Sequence, residues 1–156
     1  MKKENLEKIE IFNNRVYRLF EQISGWLEEE KIDFKKEEKN ISLTDGPNRT
    51  YESKRLDVFT IENEKLFSVV PYGIWIIGAE GRVELAGDSG TESLVYLLEK
   101  EPDNVVREKS SAKDYIIRHH LTGNRVEGWH WLDDRITGKK PLLTKDIFLA
   151  LLERIN

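Results

Sequence analysis

The chain has 156 residues, 38% hydrophobic and 35% charged, with 25 Lys+Arg against 29 Asp+Glu and no cysteine. That length suits one domain around one core, and the missing cysteine excludes disulfide scaffolds, Cys-ligated zinc, iron–sulfur clusters and thiol catalysis. No apolar run approaches the roughly 20 residues that span a bilayer. The opening Met1-Lys2-Lys3-Glu4-Asn5 runs into Glu7 and Glu10, not an apolar stretch, so neither a secretory signal nor a membrane span is expected and the protein reads as cytoplasmic.

The net charge of −4 is unevenly spread: residues 41–100 hold 6 basic and 10 acidic groups, whereas 101–156 hold 10 and 9. A protein that binds nucleic acid by neutralising phosphates needs a basic excess. Only the stretch 107–125, with Arg107, Lys109, Lys113, Arg118 and Arg125, offers one locally.

The first element is a helix over about 1–31. Ile9, Phe12, Val16, Leu19, Ile23 and Trp26 step by three and four, and Asn13, Asn14, Arg18 and Glu21 wet the other side. Its stripe suits packing on its own domain, and equally a helix that docks a partner or a second copy. Residues 31–40 are charge-dense with balanced signs and read as a solvated bridge.

From Ile41 the pattern changes to strands divided by turn residues. Tyr51–Ile61 and Leu66–Val70 precede Pro71-Tyr72-Gly73, and Ile74–Ile77, apolar on both faces, reads as a central covered strand. Gly78–Gly81 and Gly87–Gly90 are hairpin turns expected to supply positive φ, flanking the alternating strand Arg82–Ala86. Leu94–Leu98, a polar loop containing Pro102, a hairpin of 115–120 with 126–132, and a helix over 144–155 capped by Thr144 complete the chain. Connections of about four residues are too short for crossover helices, so consecutive strands should pair antiparallel. The expected fold is a single α+β domain over 1–156: a long N-terminal helix, an antiparallel meander of about six to eight strands within 41–135, and a C-terminal helix packed on the sheet.

No phosphate-binding glycine loop, H-E-x-x-H, EF-hand loop or G-x-S-x-G elbow is present, and no cofactor or metal is expected. All three histidines fall between 119 and 130. Paired across a hairpin, His119 or His120 with His130, Asp133 and the clamp Arg118 could act as acid and base in phosphoester cleavage, or hold a metal, and their plainer reading is as polar residues at a sheet rim. Trp129 and Trp131 share one strand face; they suit seating a terminal helix or, exposed, anchoring a partner. Glu80, Glu84 and Asp88 suit a solvated face or, clustered, a basic partner.

The reading that best joins these features is a non-enzymatic protein-binding module, an inhibitor or immunity-type partner or a subunit of a small assembly. Trp129, Trp131, Glu80, Glu84 and Asp88 would form its surface, with self-association through the first helix as a further route. A nuclease or other phosphoester hydrolase built on 118–134 is the alternative, and a nucleic-acid-binding module on 107–125 the weaker one.

Overall fold

The computed structural model describes residues 2–47, 49–99, 125–133 and 140–156. Helix α1 (Lys3–Glu29) winds its apolar stripe onto one side, where Phe12, Val16, Leu19, Phe20, Ile23 and Leu27 are all buried. The helix stops at a left-handed residue, Lys31 (φ 56°), with Lys31 N–H donating to the Glu28 carbonyl and Ile32 N–H to that of Leu27. That pair of bonds is a Schellman closure, here made with lysine in the position that glycine usually fills.

Six strands follow, each antiparallel to the one before: β1 (Lys35–Thr44), β2 (Thr50–Phe59), β3 (Lys65–Gly73), β4 (Arg82–Ala86), β5 (Thr91–Leu97) and β6 (Gly128–Trp131). The connections up to β5 are too short for a crossover helix, and β6 pairs with β5, so spatial order repeats chain order. Helix α2 (Lys145–Ile155) closes the chain, with the Thr144 hydroxyl accepting from Ile147 N–H and Asp146 at the positive end of the helix.

Strand period and register decide what each face carries. One face gathers Leu56, Val69 and Leu85 in one cross-strand row, and Val83, Leu94 and Trp131 in another. Both helices cover this face. Phe148 of α2 meets Trp26 of α1 at 5.4 Å and Phe67 of β3 at 5.7 Å between ring centroids, joining the two layers at one fully buried ring. Removing such a ring costs roughly 3 to 5 kcal/mol, the lost burial plus the cavity left behind. The opposite face carries Asp57 beside Ser68, and the row Arg82, Val95 and His130.

The two sheet edges differ. Beyond β6 the chain returns as 140–143, with Trp131 N–H donating to the Pro141 carbonyl and Leu143 N–H to that of Trp129. Among the described residues β1 has no strand beyond it.

The α+β meander with its two helices agrees with the sequence reading, and the six strands fall in the expected range. Two local readings are corrected. The charged bridge 31–40 is mostly strand: β1 starts at Lys35, and its residues 35–40 are all exposed, so no apolar alternation marks them; the strand is half-buried only at Ile41 and Leu43. Ile74–Ile77 is not a central strand but part of the β3–β4 connection, holding only an isolated bridge from Ile76 to Ala79. The turns also differ in kind. Gly78 has positive φ (+82°), but Gly87 is required for space: a Cβ there would collide with the Ile155 carbonyl at the end of α2. Ser89 N–H donates to that same carbonyl at 2.7 Å, so the β4–β5 turn caps the last helix. The strand 115–120 lies outside the described residues. Among those described, no helix is long and apolar enough to cross a membrane.

Candidate functional site

The two tryptophans face the helices, one under each. Trp129 is buried, donates from Nε1 to the Arg15 carbonyl of α1 at 3.4 Å, and lies edge-on to Tyr96 with centroids 5.3 Å apart. Trp131 is half-buried, donates to Glu92 Oε2 at 3.0 Å, and carries the Arg154 guanidinium of α2 over its ring at 5.3 Å. Their indoles therefore seat the helices, as the plainer sequence reading has it.

The three acidic candidates are distributed along β4. Glu80 is exposed at one end, Asp88 is exposed in the turn at the other, and Glu84 lies between them, 3.5 Å from Arg82. His130 is 2% exposed, with Nδ1 2.9 Å from the Gly128 carbonyl. A carbonyl only accepts, so that bond requires the Nδ1–H tautomer of the neutral ring. Burial holds the imidazole below its ordinary pKa; the Gly128 bond opposes this and the Arg125 charge adds to it. Asp133 is half-buried just past β6, and Arg118, His119 and His120 lie outside the described residues. No group of three or more metal-ligating side chains occurs among the described residues.

A different surface emerges where the N-terminal half of α1 meets the connection 74–81. Asp45, in the β1–β2 turn, accepts three hydrogen bonds on one oxygen, Oδ2: from Ile74 N–H at 2.6 Å, Trp75 N–H at 3.1 Å and the Tyr51 hydroxyl at 3.0 Å. Burial, with the Asp45 charge and its hydrogen bond, drives the Tyr51 pKa upward, so Tyr51 stays a donor. Trp75 is then fixed between the Tyr51 ring, edge-on at 6.0 Å, and the Arg49 guanidinium at 4.6 Å.

The far end of the connection is tied to β5. Glu80 N–H donates to the Tyr96 carbonyl at 2.8 Å, and Tyr96 N–H to that of Gly81 at 2.9 Å. Between these anchors Gly78 reverses the chain and leaves the Ile77 side chain fully exposed, 103% of its reference area.

Beside Ile77 runs a groove of about 290 Å³ lined by Lys8, Ile11, Arg15, Ile74, Trp75 and Glu80, among others. Ile11 is 47% exposed. Arg15 is held in place, its guanidinium 4.0 Å from the Tyr96 ring and 4.0 Å from Glu127, to which the Tyr96 hydroxyl also donates at 2.8 Å. The described lining offers apolar contact, two cations and one carboxylate, and no imidazole, hydroxyl or thiol. Such a set can recognise shape and charge. Of the sequence candidates only Glu80 belongs to it. The signal missed is the Gly73 and Gly78 bracket around a four-residue apolar run, too short to distinguish strand from loop.

The face of the sheet opposite the helices holds a second polar cluster. Asp57, with its side chain 2% exposed, accepts from Ser68 Oγ at 2.5 Å and Arg55 at 3.0 and 3.1 Å, with Lys65 at 3.3 Å and Lys39 at 3.5 Å. Burial alone would raise its pKa, but the Ser68 and Arg55 hydrogen bonds and the Arg55 and Lys65 charges outweigh it and hold the carboxyl below its ordinary value. Comparison with protein families, with curated proteins and with solved structures finds no match to this chain.

Proposed function

We propose that this chain is a non-enzymatic protein-binding module whose contact surface is the groove between α1 and the 74–81 connection, with Ile77 as its apolar anchor. One observation carries the reading: a pinned loop holds Ile77 wholly in water, while its neighbours in the same loop, Trp75 and Ile76, line a groove with half-exposed Ile11 and a charged rim. An isoleucine so placed contributes nothing to the core, yet covering it would release roughly 1.5 to 3 kcal/mol toward association. The charged rim of Lys8, Arg15 and Glu80 supplies the selectivity that apolar contact lacks. A module of this kind works by occlusion or by scaffolding, as an inhibitor or immunity-type partner or as a subunit of a small assembly. The same reading puts it in the cytoplasm, where a cysteine-free chain needs no oxidising compartment to fold.

The test is affinity capture from the native host with the wild type and with Ile77→Asp, alongside urea melts of both. Equal stability together with loss of the captured partner supports the proposal. A partner retained undiminished by Ile77→Asp removes it.

A further inference from the structure

We propose that β1 is a self-pairing edge, so that two copies of this chain join antiparallel through it and continue one sheet into the other. The two edges of the sheet are treated differently by the fold. The segment 140–143 covers β6, whereas β1 lies at the end of the strand order with nothing beyond it among the described residues. In an antiparallel pair each residue's backbone N–H and C=O point together to one side, alternating along the strand, so half of those on β1 face outward as a row of donors and acceptors that no described strand pairs. The row is unblocked. β1 contains no proline, and its ten residues pair with β2 in unbroken register from Lys35–Phe59 to Thr44–Thr50, whereas the β2–β3 and β3–β4 pairings are both interrupted by bulges.

The charges along β1 identify the occupant as a second copy and select its register. In a two-fold antiparallel pair the residue on the axis opposes itself, and like charges directly opposite are destabilising. An axis at Lys35, Lys36, Glu37, Glu38 or Lys39 sets a charge against its own copy. Asn40 is the first neutral position, and an axis there gives the longest overlap free of opposed like charges, 36–44 on each copy. Lys36 then faces Thr44, Glu37 faces Leu43, Glu38 faces Ser42 and Lys39 faces Ile41. Lys39, whose copies approach diagonally, is already balanced by Asp57 at 3.5 Å and Glu37 at 4.0 Å. The apolar stripe of α1 is turned onto its own sheet, so this edge is a route to self-association separate from the one the helix periodicity suggests.

Analytical ultracentrifugation of the full chain from micromolar to millimolar concentration tests the proposal. The wild type should show a concentration-dependent dimer. Asn40→Lys and Asn40→Glu each place like charges on the axis of an exposed strand, and each should weaken dimerisation by about fivefold or more with the far-UV spectrum and melting temperature unchanged. An equimolar mixture of the two variants should regain dimer as a heterodimer. A monomer at every concentration, a dimer that neither variant weakens, or a mixture no better associated than its components overturns it. So does a monomer that instead captures a foreign extended peptide on β1. Because Asn40 is outside the groove lined by Ile11 and Trp75, either result leaves the partner-binding reading to be judged by Ile77→Asp alone.

Discussion

Replacing Asp45 by alanine should release the 74–81 connection without unfolding the protein. Oδ2 of Asp45 accepts all three bonds, two from main-chain N–H groups and one from Tyr51. A shielded hydrogen bond to a charged acceptor contributes roughly 1.5 to 3 kcal/mol. Asp45 is half-buried, so solvent screening places each bond below that range, and about 1 kcal/mol apiece, or about 3 kcal/mol together, is the expected loss. Asp45→Asn is the informative control. A neutral amide oxygen carries no net charge, so it holds the three donors more weakly than a carboxylate oxygen does; an intermediate loss of about 1 to 2 kcal/mol follows. Urea denaturation gives the stabilities, and amide hydrogen exchange at Ile74 and Trp75 reports the release directly, with faster exchange in Ala than in Asn and slowest exchange in the wild type. Exchange at those two amides unchanged in Asp45→Ala, or Asp45→Asn as stable as the wild type, would refute the argument.

Asp57→Asn should narrow its stability gap to the wild type as the pH falls. The folded carboxyl has a pKa below its unfolded one, so the stability it supplies is present above the ordinary aspartate pKa and disappears as the pH drops through the folded value; urea melts across that range check the convergence. Gly87→Ala should lower the melting temperature and loosen the end of α2, since the added Cβ collides with the Ile155 carbonyl and side chain and with Asn156 Oδ1; exchange at the Ser89 amide, whose acceptor is that carbonyl, registers the displacement.

Some elements were legible because local signals agreed. Helix α2 has a threonine cap, an acid in its first turn and an apolar stripe from Ile147 to Ile155, and it occurs where these place it. β4 alternates cleanly because Val83 and Leu85 face the helices and Arg82 and Glu84 do not. Residues 35–40 of β1 read as a bridge because alternation reports a buried face, and all six are exposed. The apolar run at 74–77 read as a central strand because hydrophobicity alone does not say whether a partner strand exists on either side. The anchor of the candidate site was out of reach of any local pattern, since Asp45 meets Ile74 across 29 residues of chain.

Phe148 sits where the first helix and the third strand meet, far along the chain from both. Helix α1 precedes the strands and α2 follows them, so until α2 docks, the apolar stripe of α1 and the sheet beneath it lack the ring that fastens Trp26 to Phe67. A folding intermediate with its strands paired and α2 undocked therefore exposes the underside of both layers, and that is the species in which this protein is most open to aggregation.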